Sequence, residues 1–308
     1  MKVARGLKDL PKDVKPSVCT VGVFDGVHKG HQALMGQVLK EAQTKKGTPV
    51  VVTFDRHPLE LIAPGKEPPI ITTPRQRAEA MESLGIEVLL ILKFDDALRH
   101  LSPEDFVQKV LIDALGCVHV VVGKNFRFGH QHAGTVETLQ ELGKTDGFTV
   151  EIFDLVGDDE VVSSTLIRRQ IAEGNVEVAA QELGRPFRIE GHVEHGAKRG
   201  KGLGFPTANL RVPDKFILPK IGVYAGWLRW KGRRYPTVVN VGLNPTFEDR
   251  TSPIVEAYVL DFDRDLYGEV VGVEFTHHLR DELKFDDVED LKKAIGNDVK
   301  RARELLGV

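Results

Sequence analysis

The chain has 308 residues, 41% of them hydrophobic, enough to bury a substantial core and, at usual domain sizes, enough for two domains. A net charge of −3 with acidic and basic residues interspersed argues against a large nucleic-acid footprint or attraction to anionic lipid, and points to small-molecule partners. No stretch approaches the roughly 20 apolar residues of a membrane span, and residues 1–14 lack the apolar run of a signal peptide or anchor, so a soluble cytoplasmic protein is expected.

Apolar runs of strand length occur at residues 18–23, 50–54, 88–92, 118–122 and 150–153, with helical periodicity between them. This alternation predicts a doubly wound α/β layout: a parallel sheet covered by helices on both faces, with ligands beyond the carboxyl ends of the strands. Cys19 and Cys117 lie inside two of the runs without a CxxC partner, and read as buried thiols of a reducing compartment. Ser102-Pro103-Glu104 opens one helix with a cap and a first-turn proline, and Gly116 closes it.

A helical pattern ends at Leu183-Gly184-Arg185-Pro186, which sets the expected domains at residues 1–184 and 185–308. Beyond it come short strands at 187–193, 208–212, 223–230, 235–241, 255–260 and 270–275 without intervening helices, the pattern of a small closed β-barrel. Residues 227–239 read as one hairpin around Lys231-Gly232. Val288, Leu291, Ile295 and Val299 share one face of a terminal helix expected to pack across the barrel.

The stretch Gly22-Val23-Phe24-Asp25-Gly26-Val27-His28-Lys29-Gly30-His31 joins the first strand to the first helix. Strand, glycine turn and helix start make an anion site, because free N–H groups and the helix dipole point at the ligand. His28 and His31 project from one helical face and can donate to phosphate oxygens, stabilising charge on an α-phosphorus and on departing pyrophosphate. Two other readings are that the pair only caps the helix, or that it binds zinc, against which stands the lack of a third ligand at metal spacing nearby. Neither GxGxxG nor GxxxxGK[ST] occurs, so a dinucleotide-binding dehydrogenase and a P-loop kinase both lose support.

This segment resembles the nucleotidylyltransferase signature of bacterial bifunctional riboflavin kinase/FMN adenylyltransferases. Three further stretches agree with that family in order and spacing: Phe54-Asp55-Arg56-His57-Pro58, where the family usually has FDPHP; Gly123-Lys124-Asn125-Phe126-Arg127-Phe128-Gly129; and Val162-Ser163-Ser164-Thr165-Leu166-Ile167-Arg168. The resemblance implies a Rossmann-like nucleotidylyltransferase domain in which His28 and His31 are catalytic. Gly22, Phe24, Asp25, Gly26, Ser164, Thr165 and Arg168 would join them around ATP. Phe54, Asp55, His57, Asn125, Phe126, Arg127 and Phe128 would face the flavin.

Physically, Asn125, Phe126 and Phe128 offer an amide and aromatic faces to an isoalloxazine ring, with Arg127 near its phosphate, although two Phe so spaced equally suit a core. Ser164, Thr165 and Arg168 at a helix start suit a triphosphate or an ordinary N-cap with a surface arginine, and these two readings are compatible. FMN brings an ionised phosphate oxygen as nucleophile, so no general base is required and positioning plus charge stabilisation must supply the rate.

In the second half, Gly191-His192-Val193-Glu194-His195-Gly196 and the basic glycine loop Lys198-Arg199-Gly200-Lys201 suit a phosphorylated ligand, though an ordinary surface loop has the same composition. Pro206-Thr207-Ala208-Asn209 resembles the PTAN motif of riboflavin kinases; alone, Thr and Asn at a strand start are more often turn formers. The resemblance implies ATP contacts at Gly196, Lys201, Gly202, Gly204, Pro206, Thr207 and Asn209, with Thr207 and Asn209 as neutral oxygen ligands of Mg2+.

Asn240-Val241-Gly242-Leu243-Asn244 and Val255-Glu256-Ala257-Tyr258 also match the kinase pattern. Glu256, in an otherwise apolar strand, is either paired, on the solvent face or poised as a base, and strand alternation alone slightly favours the solvent face. The family match reverses that preference and makes it the base that accepts the ribityl hydroxyl proton, in a flavin site with Asn240, Arg280, Glu282 and Phe285. Leu279-Arg280-Asp281-Glu282-Leu283-Lys284-Phe285 resembles the family's LRDExKF stretch, closing over flavin, or else a solvated helix start. Departures from the family are Arg56 for proline, Lys124-Asn125 where Asp often precedes Phe, and Tyr258 where His is common.

The implied function is ATP-dependent phosphorylation of riboflavin to FMN and adenylylation of FMN to FAD. Rival readings are a single-activity enzyme with one decayed domain, against which stand the intact main polar positions of both halves, and a non-catalytic flavin sensor, against which stand intact HxGH and Glu256. The sequence sets no oligomeric state.

Overall fold

The structure, a computed structural model, describes residues 1–154, 162–195, 202, 204–242 and 254–308. The chain forms two compact units, Met1–Pro68 with Thr73–Val162 and Pro69–Thr72 with Ser163–Val308.

In unit 1 the β-branched runs form β1 (Lys2–Arg5), β2 (Ser17–Val21), β3 (Thr48–Phe54), β4 (Val88–Leu92), β5 (Cys117–Gly123) and β6 (Thr149–Phe153). They pair throughout in parallel, in the order β1-β4-β3-β2-β5-β6. Successive side chains point to opposite faces, so each strand feeds two cores. Cys19, Val50, Val52, Leu90, Val120 and Val122 pack on one side with Phe106, Val107, Leu111 and Leu139. Val18, Val51, Leu89, Ile91 and Val121 pack on the other with Leu34, Met35, Val38 and Met81.

The covering helices are α1 (Lys29–Lys45), α2 (Leu59–Ile62), α3 (Pro74–Leu84), α4 (Asp96–Arg99), α5 (Pro103–Phe106) and α6 (Val136–Asp146). Ser102 caps α5 by accepting from the Asp105 N–H (3.0 Å); the helix then widens into the π-helical stretch Val107–Ala114, and Gly116, at φ +52°, ends it. Both cysteines are buried free thiols, and burial pushes the Cys19 thiol well above its ordinary range. The one strand the sequence does not announce is β1. It is a short edge strand in which only Ala4 is buried and Val3 faces outward, so it carries no apolar run.

Unit 2 begins with α7 (Ser164–Ala172) and α8 (Val176–Leu183) and continues with β7 (Phe187–Glu194), β8 (Ala208–Arg211), β9 (Gly222–Trp230), β10 (Arg233–Gly242), β11 (Ile254–Val259), β12 (Val270–Arg280) and α9 (Val288–Leu306). The strands close an antiparallel barrel in the order β10-β11-β8-β7-β12-β9. Its interior is set by alternation, as in β7, where Phe187, Ile189 and Val193 are buried between partly exposed neighbours. The expected hairpin is present: Trp230 pairs with Arg233 across Lys231 (φ +47°) and Gly232 (φ +78°), the two left-handed residues of a type I′ turn.

Because α8 packs on β7 and β12, the compact units divide at Val162/Ser163, upstream of Gly184. The terminal helix does cross β9, β10 and β12, but through Val299, Ala302 and Leu306; Val288 shares that face and, at the start of the helix, is 54% exposed.

A Cβ added at Gly226 in β9 would overlap the Glu274 carbonyl oxygen of β12, so the strands must part. Gly226→Ala should therefore destabilise unit 2 by about 3 kcal/mol, the cost of strong overpacking, read from its unfolding midpoint in denaturant. Gly296→Ala, in α9 with nothing within 4 Å of its added methyl, should shift the midpoint the other way by roughly 0.5 to 1 kcal/mol.

Candidate functional site

In unit 1, β2 lies between β3 and β5, so the loops that follow these three strands share the carboxyl edge of the sheet. The chain winds from β2 to β3 on one side and reaches β5 on the other, which makes this edge the switch point where α/β sheets hold ligands. The stretches at 22–28, 54–58 and 123–129 are those three loops.

The first loop is strained. Phe24 (φ +52°), Gly26 (φ +83°) and Val27 (φ +42°) all take left-handed backbone, which costs of order 1–3 kcal/mol at a non-glycine residue and marks an outlier at a β-branched one. Burial holds it: Phe24 and Val27 are core residues, and Gly22 has no Cβ because one would meet the Phe24 ring at 2.8 Å.

His28 is the N-cap of α1, its Nδ1 accepting from the His31 N–H at 3.4 Å. That bond assigns the proton of a neutral His28 to Nε2, so the capping reading and the phosphate-donor reading hold together. The two imidazoles stack at 3.6 Å, and His31 also meets the edge of Phe24 at 5.1 Å. His31 Nδ1 is buried and has no hydrogen-bond partner among the described residues. Burial first, and then the neighbouring His28, hold the His31 pKa well below the usual histidine value, so His31 is neutral at pH 7. Asp25 is buried beside the turn.

The zinc alternative gains nothing from the described residues. Their one trio of His, Cys, Asp or Glu with ligand atoms within 4.8 Å of one another is Glu41, His119 and Glu151, where His119 bridges Thr149 (2.6 Å) and Glu151 (3.4 Å).

A residue that sequence reading passes over completes the loop. Arg77 of α3 is 8% exposed, and its Nη1 donates to the Val23 carbonyl at 2.6 Å and lies 3.5 Å from Thr53 Oγ1, while Nη2 donates to the Phe54 carbonyl at 3.5 Å. Burial lowers its pKa and the Asp25 charge offsets part of that. Written Pro74-Arg75-Gln76-Arg77, it looks like a solvated helix turn.

In the loops after β3 and β5, Phe54 meets Phe94 edge-on at 5.5 Å, exposed Asp55 accepts from the Phe94 N–H at 2.9 Å, and His57 Nδ1 accepts from the Leu59 N–H at 3.2 Å. Asn125 and Arg127 are exposed and Phe126 is half-buried. Phe128 is 6% exposed, joins the cluster beneath β5, and leans over Gly134, whose missing Cβ makes the space. Ser164, Thr165 and Arg168 belong to unit 2. Ser163 caps α7 by accepting from the Leu166 N–H (3.2 Å), Ser164 and Thr165 form the first turn, and Arg168 Nε donates to the Pro69 carbonyl at 2.6 Å.

In the barrel, β-register gathers three polar residues that lie far apart in sequence. Asn209 of β8 pairs with Glu256 of β11, which pairs with Asn240 of β10. Glu256 is half-buried, between the buried Val255 and Ala257 of the opposite face. A Cβ built at Gly242 would lie 3.0 Å from Glu282 Oε1 and 3.2 Å from Asn240 Nδ2, so the exposed Glu282 and the Asn240 amide approach the same point over Gly242. Tyr258, the family's histidine position, shares the Glu256 face and meets Phe205 edge-on at 5.4 Å.

Arg280 forms a bidentate pair with the Asp298 carboxylate of α9 (Nε 3.0 Å, Nη2 2.8 Å), with its guanidinium 5.9 Å from Phe285. Leu279 and Arg280 end β12 and residues 281–285 form no helix, which removes the helix-start reading. Thr207 is half-buried; Pro206, Gly202 and Gly204 are exposed, with Gly204 at φ +88°. Gly196 and Lys201 lie outside the described residues.

A helix start built for anions in one unit and a carboxylate between two amides in another define a class: a transferase of phosphorus groups with two modules on one chain. The family model described as FAD synthetase matches residues 10–166, and that described as riboflavin kinase matches residues 183–306. The bifunctional riboflavin kinase/FMN adenylyltransferase of Pseudomonas fluorescens is 40% identical over 99% of this chain and 98% of its own length, and that of Bacillus subtilis (strain 168) is 37% identical over 93% and 91%. The chain belongs to the bifunctional riboflavin kinase/FMN adenylyltransferase family.

A crystal structure described as a macrolide-efflux protein from Streptococcus pneumoniae superposes with a TM-score of 0.86 at 33% identity, over 98% of both chains. That description stays with that protein; here, no described helix is long and apolar enough to cross a membrane.

The depressed His31 pKa has a thermodynamic sign. Below the unfolded value of about 6.5 the unfolded chain binds a proton that the fold refuses, so the stability contributed by neutral His31 is complete above that pH and is lost as pH falls through the folded value. Denaturant unfolding of unit 1 should weaken on going from pH 7.5 to 5.5, and His31→Gln should flatten that slope.

Proposed function

We propose that unit 1 transfers the adenylyl group of ATP to FMN through the turn and histidine pair after β2, and that the barrel phosphorylates riboflavin with Glu256 as base. Taken together they convert riboflavin to FAD in two ATP-dependent steps. The observation that carries the reading is the histidine pair at the start of α1, at the switch point of the parallel sheet.

For adenylyl transfer, an FMN phosphate oxygen attacks the α-phosphorus of ATP and pyrophosphate leaves. The nucleophile is already ionised, so these residues serve by placing donors. His28 offers Nε2–H and neutral His31 a second imidazole donor toward charge that develops on the phosphates, while the dipole of α1 points its positive end at the same anion. Asp25, Gly22, Phe24 and Gly26 shape that turn. Phe54, Asp55, His57, Asn125, Phe126 and Arg127 line the adjoining loops for the flavin, with Phe128 packing beneath them. Ser164, Thr165 and Arg168 are proposed as phosphate contacts on the strength of the family match.

In the barrel, Glu256 accepts the proton of the ribityl hydroxyl as its oxygen attacks the γ-phosphorus and ADP departs. Asn240 and Glu282 flank it and orient the flavin, with Phe285 beside them; Arg280 acts through Asp298, fixing α9 against the barrel. Thr207 and Asn209 are neutral oxygen donors beside Glu256, a set that fits a magnesium ion keeping its waters and taking its charged oxygens from ATP. Bound there, Mg2+ would neutralise charge on the transferring phosphoryl group. Gly196, Lys201, Gly202, Gly204 and Pro206 would enclose the triphosphate.

The family matches end at 166 and resume at 183, which supports a functional boundary at 184/185 although α7 and α8 pack with the barrel. Two buried free thiols and a near-neutral mixed surface suit a cytoplasmic enzyme with small-molecule partners, no nucleic acid and no membrane.

His31→Ala should abolish FMN to FAD and spare riboflavin to FMN, whereas Glu256→Ala should slow riboflavin to FMN by roughly 10²–10⁴-fold and spare the second step. Product chromatography on the full chain with ATP and magnesium reads both steps at once. Loss of both by either change in folded protein refutes the division of labour.

A further inference from the structure

Arg77 is buried where a charge is expensive to keep, since transferring a cation out of water costs several kcal/mol unless neighbours compensate. No carboxylate forms a bidentate pair with it among the described residues. Its ties are instead to main-chain carbonyls of two different loops, Val23 after β2 (2.6 Å) and Phe54 at the end of β3 (3.5 Å), together with the Thr53 hydroxyl, which itself donates to the Val23 carbonyl at 3.1 Å. Arg77 Nε is buried without a partner. As a pure packing element this arrangement is poor, because an apolar side chain of similar volume avoids the desolvation.

The geometry explains the choice. The Val23 carbonyl is the last backbone group before left-handed Phe24, and Phe24, Gly26 and Val27 carry the chain to His28. Anchoring that peptide plane fixes the direction in which the strained turn leaves the sheet, and hence where α1 starts. A planar guanidinium reaches two carbonyls at once in a rigid fork; a lysine ammonium on a flexible stem reaches one.

We propose that Arg77 is a positioning residue for adenylyl transfer, clamping the turn after β2 to the end of β3 so that His28 and His31 meet the nucleotide in register. This rests on the reading of His28 and His31 as the groups that contact ATP. Arg77 touches no substrate in this role and acts through the Val23 carbonyl and the buried charge of Asp25.

The test measures both reactions on the full chain for Arg77→Met and Arg77→Lys, with the unfolding midpoint of each variant. A displacement of about 1 Å at a reacting centre costs about 100-fold, so Arg77→Met should lower kcat for FMN to FAD by about that factor. KM for ATP should change by less than about threefold, and riboflavin to FMN should be unchanged. Arg77→Lys keeps one donor for the Val23 carbonyl and should recover about tenfold of the loss. If Arg77→Met fails to fold, Thr53→Val decides, since it removes the second tie to the same carbonyl at nearly constant volume and should lower kcat with KM retained.

The proposal is overturned if folded Arg77→Met keeps kcat within about threefold of the parent, if the loss appears only in KM for ATP, or if Lys does no better than Met. His31→Ala separates this failure from that of the site. If His31→Ala still makes FAD, the site reading is wrong; if it makes none while Arg77→Met is normal, only the role of Arg77 is wrong.

Discussion

Between Gly22 and His28 the chain passes through three left-handed residues, two of which bear side chains, and only then starts the helix that carries His31. Such a path is unfavourable in isolation and exists because the sheet, the Phe24 and Val27 side chains and the Arg77 clamp leave it no alternative. What results is a tight turn, closed by the Val27 N–H on the Phe24 carbonyl and followed at once by a helix start, whose backbone dipoles favour an anion. The stacked histidines inherit their character from the same constraint: one is tautomerically fixed by capping, the other kept neutral by burial.

The barrel solves a different problem. The carboxylate proposed as base can be neither fully hydrated nor sealed in the core if it is to accept a proton. β11 achieves this by alternation, with Val255, Ala257 and Val259 filling the interior while Glu256 and Tyr258 sit on the half-covered side. The helix that crosses the barrel is fastened by Arg280 and Asp298, a bidentate pair at the end of β12.

Much of this was legible beforehand, and what was not has identifiable causes. The central strands are continuous β-branched runs, so their parallel pairing follows from composition, and Lys231-Gly232 announces its hairpin. β1 hid because an edge strand with one buried residue needs no apolar pattern. The His28–His31 motif was readable since its spacing is local. Arg77 was not, because its inward direction depends on how α3 packs against β2 and β3, and a charged residue in a charged helix turn carries no local sign of burial. For Phe128 the motif left a ligand face and a core position equally open, and the space over Gly134 that the side chain takes depends on packing the motif does not show. The row of Asn209, Glu256 and Asn240 depends on register between distant strands, which family likeness implies and periodicity alone does not.

That row also limits how this half of the gene can drift in length. Side chains on a strand change sides with every residue, so one codon gained or lost within β8, β10 or β11 would turn its polar member inward and expose the apolar neighbour that replaced it. A closed barrel has no free edge along which to absorb such a slip. Natural insertions and deletions should therefore collect in the connections, such as residues 212–221 and 260–269, leaving the paired segments constant in size even where nearly every amino acid in them has been exchanged.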